Sequence, residues 1–255
     1  MILVNRGEPP KDFEKRAKAL RKKFKAARAK DPDISASKFW QSVRPDLTND
    51  ATELARRHLF KCAYCESLMN HVSYPHVEHY KPKGQKQYEK LMFVWTNWLS
   101  SCGVCNDTKW TQFPIHNGKP LLLNPTVDDP SIHIGFRRNS IFSLSDEGDE
   151  TIRLVGLWRY DLEKERGSWL LNIDILLLLI TNSQDAEVRS ASRECLIWAM
   201  QDNAPYAAMT RQYLKNLCPN FANPKQPHPL IGGENIRQKI ALLVAQNRKT
   251  VCQLI

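Results

Sequence analysis

Between residues 11 and 30 the apolar positions Phe13, Ala17, Leu20, Phe24 and Ala27 recur at intervals of four, three, four and three. That period belongs to a helix with one narrow apolar stripe, which should dock on the protein and leave its other faces outward. Asp31-Pro32 ends it, and the run DISASKFWQSVRPDL predicts a second short helix before Pro45. A third, NDATELARRHLFK, opens on a possible cap, Asn49 or Asp50, and leads straight into Cys62. From Cys62 to about Lys119 helical periodicity is slight until Asn106, and Cys, His, Trp, Tyr, Gly and Pro dominate. KPLLLNPTVDDPSIHIGF then reads as loop and short strand, and SIFSLSDEGDETIRLVGL as a strand, an acidic turn and a further strand or helix start. Beyond Leu154 the pattern is helical over Leu157–Glu165, Ser168–Leu179, Asp185–Met200, Tyr206–Leu217 and Glu234–Lys249, with a clear break at Pro219–Pro229.

The predicted fold class is therefore α+β and predominantly helical, in three regions: a basic helical N-terminal region (1–61), a small site-bearing unit (62–119) and a mostly helical C-terminal region (120–255). With 255 residues, 42% apolar and 25% charged, the chain has the composition of an ordinary globular protein. No internal repeat or low-complexity segment interrupts it. The N-terminus carries no apolar stretch of signal-peptide length. The longest apolar run, Trp169 to Ile180, is broken by Asn172 and Asp174 and falls short of the roughly 20 residues a bilayer requires. The expectation is a soluble, cytoplasmic protein with no membrane partner.

Charge sharpens this picture at one end only. The net charge is +10, and residues 1–110 hold 21 Lys/Arg against 12 Asp/Glu, whereas residues 111–255 hold 16 against 15. The segment 11–30 alone has ten Lys/Arg and two acids. A field so concentrated attracts polyanions, of which nucleic acid is the commonest inside cells. A basic, solvated face without a partner fits the same charges.

Four of the seven cysteines fall as Cys62-x2-Cys65 and Cys102-x2-Cys105. Two such knuckles predict one tetrahedral structural zinc, closed by four thiolates and leaving no open position for substrate. Cys195, Cys218 and Cys252 read as isolated thiols. The count leaves His71, His76 and His79 free of the zinc, in a loop clamped by it at both ends.

Inside the clamp stand Glu78-His79 ahead of Pro82, Trp95-x-Asn97, and Cys105-Asn106-x-x-Lys109. In this order, between CxxC knuckles, the residues resemble the HNH endonucleases, a family with a ββα-metal fold. The resemblance implies phosphodiester hydrolysis. A general base near neutral pH is needed, and His79 is the expected one; a hard cation, Mg2+ or Mn2+, would take the oxygen ligands Glu78 and Asn106. Asn97 would pin the loop by hydrogen-bonding backbone. Two departures from the family pattern stand out. Asn106 replaces a frequent His, which favours Mg2+ or Mn2+ over a softer ion, and Glu78 replaces a frequent Asp, which leaves a salt-bridging carboxylate as its alternative role. Lys81, Lys83 and Lys109 are candidate phosphate contacts. His71 and His76 read as connecting-loop residues, and His116, His133 and His228 as structural.

The likeness extends further. CAYCE, VEHYKPKG, WTNWLSSCGVCNDTK, PLLLNPTVDDP and TIRLVGLWRYDLEKER together look like the PtuB-type HNH proteins of Septu and retron-associated antiphage systems. That resemblance implies a nuclease working with a PtuA-like ABC-type ATPase, and in some systems with a retron reverse transcriptase and its RNA-DNA product. The chain has no GxxxxGK[ST] phosphate loop, so ATP hydrolysis would come from the partner, and the nearly neutral C-terminal region offers a docking surface. DNA is the default substrate; RNA, including tRNA, is the alternative. A non-catalytic zinc-containing module for nucleic-acid binding or assembly is the competing reading.

Overall fold

The computed structural model describes residues 1–69 and 76–217. The expected helix at Glu234–Lys249, the break at Pro219–Pro229, and His71, His228, Cys218 and Cys252 lie outside the described residues. The chain is mostly helical with small antiparallel hairpins. Its helices are α1 (Phe13–Lys30), α2 (Ala36–Val43), α3 (Thr48–Arg57), α4 (Gly103–Lys109), α5 (Asp146–Leu154), α6 (Tyr160–Asn182), α7 (Ala186–Ala199) and α8 (Ala207–Leu217). Its strands are β1 (His76–His79), β2 (Trp98–Ser101), β3 (Ile115–His116), β4 (Lys119–Pro120), β5 (Ile134–Arg137) and β6 (Ser140–Ser143), paired β1 with β2, β3 with β4, and β5 with β6. Among the described residues no helix is long and apolar enough to cross a membrane.

Two compact units divide the chain: Met1–Ile134 with Phe142–Leu157, and Gly135–Ile141 with the residues from Trp158 onward. The boundary expected between residues 61 and 62 is not a structural one. Phe13, Ala17 and Leu20 of α1, Phe39, Trp40 and Val43 of α2, and Leu54 of α3 share a single core with Met92, Phe93, Trp95 and Trp98. The Phe13 ring sits edge-on to Trp95 and Trp98, at 5.3 and 5.1 Å. A cysteine-bearing segment this short has too few apolar side chains to bury on its own, so the N-terminal helices complete its core. The boundary expected between 119 and 120 moves as well, since 120–134 and 142–157 belong to the first unit.

The caps explain the helix starts. Ser35 accepts the Lys38 N–H at 3.1 Å to open α2, and Ser145 accepts the Gly148 N–H at 3.1 Å to open α5. The latter resolves the strand-or-helix ambiguity after the acidic turn in favour of helix, with Asp146, Glu147 and Asp149 at its positive end. In the second unit, the two helices expected at Leu157–Glu165 and Ser168–Leu179 are one, α6. Gly167 in its middle costs about 1 kcal/mol relative to Ala, and the buried stripe Leu162, Leu170, Ile173, Leu177 and Ile180 outweighs it.

The stripe of α1 is buried at Phe13, Ala17 and Leu20, and part of its cationic surface is committed internally. Arg16 chelates the buried Asp50 carboxylate, Arg28 chelates Glu89, and Arg21 donates to the Phe93 carbonyl at 2.8 Å. Lys15, Lys18, Lys22 and Lys25 are exposed.

At the end of α3, His58 is buried. Its Nδ1 donates to the Leu54 carbonyl at 2.9 Å, and its Nε2 has no partner among the described residues. Burial, reinforced by the nearby Arg6 charge, holds it down to about 4 against the Leu54 hydrogen bond. Between pH 6.5 and 4 the unfolded chain therefore takes up a proton that the folded chain refuses. Folding stability should fall by on the order of 3 kcal/mol across that window and no further below it. Urea melts at about pH 7 and about pH 4.5 should show this loss in the wild type and a smaller one in His58→Gln; equal losses would refute it. Glu66 does not confuse the window, because its contribution is lost only as pH falls from 4.5 toward about 2.

Candidate active site and metal cluster

The first knuckle is a tight turn closed by the Lys61–Leu68 bridge. The Cys62 N–H donates to the Ser67 carbonyl and the Glu66 N–H to the Cys62 carbonyl, both at 3.0 Å. Glu66 takes a left-handed conformation, φ 63°. Its carboxylate is buried between Lys61 at 3.0 Å and the Met1 α-amino group at 2.7 Å. Burial pushes Glu66 up, but the two cations prevail and hold it at about 2. The Ala63 N–H donates to the Ser100 carbonyl at 2.9 Å, which fixes the knuckle to β2. The second knuckle begins where β2 ends: Cys102 caps α4, its Sγ accepting the Cys105 N–H at 3.5 Å.

The Sγ atoms of Cys62, Cys65, Cys102 and Cys105 lie within 4.8 Å of one another, with Cys65 and Cys102 3.9 Å apart. A zinc tetrathiolate with bonds near 2.3 Å has edges of about 3.8 Å, so the cluster has the dimensions and the donor chemistry of that ion. All four cysteines are buried. Burial pushes the Cys62 thiol well up, and a divalent cation at the centre would keep these sulfurs as thiolates.

From this clamp the β1–β2 hairpin projects. The register sets Glu78 opposite Leu99 and His79 opposite Trp98, and strand alternation sends the Glu78 and His79 side chains to opposite faces. His79 lies in the aromatic core, its ring 4.6 Å from and nearly perpendicular to Trp40 of α2. Its Nε2 is 2.9 Å from the Met92 carbonyl, which also accepts from Trp98 Nε1 at 2.8 Å. A carbonyl only accepts, so the His79 proton sits on Nε2 and the lone pair on Nδ1. Nδ1 is buried and has no hydrogen-bond partner among the described residues. Burial first, and then the Lys83 charge, hold the imidazole well below its ordinary value, so the ring is neutral.

Asn97 locks the turn after His79. Its Oδ1 accepts the Lys81 N–H at 2.8 Å and its Nδ2 donates to the Lys81 carbonyl at 2.9 Å, a two-point clamp on one residue's backbone. Lys81 and Lys83 are half-buried; Lys83 Nζ lies 5.7 Å from the Trp40 ring, and burial lowers its pKa. A cavity of about 540 Å3 lined by Tyr80, Lys81, Asn97, Lys119 and Asp128 adjoins this turn without including His79 or Glu78.

Lys109 is not at the surface, where a phosphate contact requires it. It is fully buried, its Nζ donating to the His79 carbonyl at 3.0 Å and standing 2.5 Å from Glu78 Oε1. The contact is a buried ion pair. Burial raises the Glu78 pKa, opposed mainly by Lys109. Asn106, three residues before Lys109 on α4, occupies the same helix face; it is partly exposed, with Nδ2 3.4 Å from Asp107 Oδ1. The hairpin and α4 thus contribute one buried carboxylate, Glu78, and one partly exposed amide, Asn106. His76, expected in a loop, is the first residue of β1 beside Gly103. His133 is held by Ser145 at 2.7 Å. Trp40 and the Met92 carbonyl are partners of His79 that no motif announces, because each reaches the ring only through tertiary packing.

No protein-family model matches the chain. The curated protein "Septu protein PtuB" of Bacillus mycoides (strain KBAB4) is 29% identical to it over 60% of this chain and 68% of that protein. The "Septu protein PtuB" of Bacillus thuringiensis is 36% identical over 40% of this chain and 38% of that protein. With two independent matches, and with the four-cysteine cluster and hairpin in place, the chain is homologous to the Septu PtuB proteins.

Proposed function

We propose that the chain is the HNH nuclease of a Septu-type antiphage defence system, hydrolysing phosphodiester bonds of nucleic acid, with DNA favoured over RNA or tRNA. The observation that carries this reading is His79: Nε2 is committed to the Met92 carbonyl, and a neutral Nδ1 is left with an unused lone pair. In the reaction, Nδ1 takes the proton of a water whose oxygen forms the new bond to phosphorus as the bond to the leaving 3′-oxygen breaks. Glu78 and Asn106 would hold Mg2+ or Mn2+, which when bound supplies charge stabilisation to the phosphoryl and leaving oxygens. Asn97 keeps the turn beyond His79 in one conformation. Lys81 and Lys83 supply positive charge at the rim, and the exposed lysines of α1 extend it. The chain's partner in this reading is a PtuA-like ABC-type ATPase, which the homology with Septu PtuB supports, and in retron-linked systems a reverse transcriptase and its RNA-DNA, which the sequence resemblance alone suggests.

A second reading, a non-catalytic zinc-containing nucleic-acid-binding or assembly module, is favoured by the burial of His79 and the exposed lysines of α1. One experiment separates the two. Duplex DNA, single strands and tRNA are incubated with the zinc-loaded chain, alone and with its ATPase partner, in Mg2+, Mn2+ or excess EDTA. The nuclease reading expects divalent-dependent products; salt-sensitive binding with no product under any condition supports the module instead.

A further inference from the structure

Lysine is almost never fully buried unless it is paired, and removing an ammonium from water is expensive unless its hydrogens find partners. Lys109 is fully buried, and the two partners its Nζ meets are the two residues of the candidate catalytic pair, Glu78 through its carboxylate and His79 through its carbonyl. The side chains of that pair leave β1 on opposite faces, so no group on a single face can orient both. Lys109 manages this by taking the side chain of one and the backbone of the other. Its own position is fixed in turn by the metal cluster: Cys105 lies four residues earlier on α4, one helical turn away and on the same face. A chain of contacts therefore runs from the cysteine cluster along α4 to the ammonium, and from there to the strand bearing the candidate base.

The ammonium also brings a fixed positive charge to the carboxylate that would hold a divalent ion. At 2.5 Å from Glu78 Oε1 it offsets most of the negative charge an incoming cation would seek. We propose that Lys109 is the positioning residue of this site, a resident cation that sets the Glu78 carboxylate and the His79 backbone and limits how tightly Glu78 can take a divalent ion. The inference rests on the nuclease reading above, and it predicts effects of opposite sign on binding and on turnover. A residue that merely props up the fold would weaken both together.

The test is Mn2+ titration calorimetry on the zinc-loaded full-length chain, paired with the cleavage assay, for wild type, Lys109→Met and Glu78→Gln/Lys109→Met. Zinc content and melting temperature serve as folding checks. Removing one positive charge beside the ion should tighten Mn2+ binding by about tenfold or more in Lys109→Met, titrated at a pH alkaline enough to keep the unpaired Glu78 carboxyl ionised. Cleavage should fall by about a hundredfold, because a reacting group misplaced by about 1 Å loses that much. The double variant, with neither charge, should fold and bind Mn2+ more weakly than Lys109→Met. If Lys109→Met does not fold, Lys109→Arg decides: the charge is kept but the geometry is not, so Mn2+ affinity should stay within about twofold while cleavage drops. Mn2+ binding by Lys109→Met no tighter than wild type, or a Lys109→Arg that cleaves like wild type, overturns the inference while a cleaving wild type leaves the nuclease reading standing. A wild type that neither binds Mn2+ nor cleaves overturns both.

Discussion

Stripping the cysteine cluster with a chelator, or replacing Cys62 and Cys105 by Ser, is expected to unfold the first unit. Structural zinc in small domains carries about 10–16 kcal/mol, against a total stability of about 5–15 kcal/mol for a typical domain. Here the cluster joins the Lys61–Leu68 turn, the end of β2 and the start of α4, tying together the two ends of the 36 residues between Cys65 and Cys102. Left without a cation, the four buried sulfurs would have to be protonated or exposed. The reporters are Trp40, Trp95 and Trp98, whose packing, edge-to-face for Trp40 on Trp98 and tilted for Trp95 on Trp98, gives a near-ultraviolet circular dichroism band that should vanish with the metal and return with stoichiometric zinc. A chelated chain that keeps this band would show the four cysteines to be ordinary core residues.

The second large effect concerns His79. Replacement by Phe keeps a ring against Trp40, and the Met92 carbonyl retains its Trp98 donor, so no buried acceptor is orphaned. The melting temperature should shift by only a few degrees, whereas cleavage should fall by about a hundredfold to ten-thousandfold, the usual contribution of a general base. Wild-type cleavage by a folded His79→Phe protein would remove His79 from the mechanism. The pH profile gives an independent reading. Neutral imidazole is the active form, and burial holds its pKa well below the ordinary value, so the rate should stay flat through the range where an exposed histidine would already be protonated and fall only in stronger acid. The same sign applies to stability, since the unfolded chain gains a proton at His79 before the folded chain does.

The parts of the site legible in the sequence are those whose chemistry is written in adjacent residues. Two CxxC pairs announce their cluster because each pair must grip from one turn, and Glu78-His79 and Asn97 stand in recognisable order. Amphipathic spacing likewise located α1, α2 and α3 to within a few residues. What could not be read is whatever depends on who packs against whom. Lys109 resembles any surface lysine at a helix end until its neighbours are known. A change in composition at Cys62 suggested a boundary, yet Phe13 packs edge-on against both Trp95 and Trp98 and erases it. Gly167 and the residues around it suggested two helices, because a local penalty is visible in sequence and the buried stripe that overrides it is not. For α5 the signal was present, a serine followed by acids, but the preceding strand pattern obscured it.

The indole of Trp40 gives the first unit a threshold as well as a core. It packs against the His79 ring, whose Nδ1 is out of reach of solvent, so a polynucleotide meets that nitrogen only in molecules where the packing around the imidazole has opened. Exposing a tryptophan side chain costs about 4–6 kcal/mol, which corresponds to roughly one open molecule in a thousand to one in thirty thousand. Turnover by the solitary chain would be scaled down by that fraction. A partner that binds the open form alone would lift the ceiling without touching the chemistry, and the latency of the nuclease would be a matter of population.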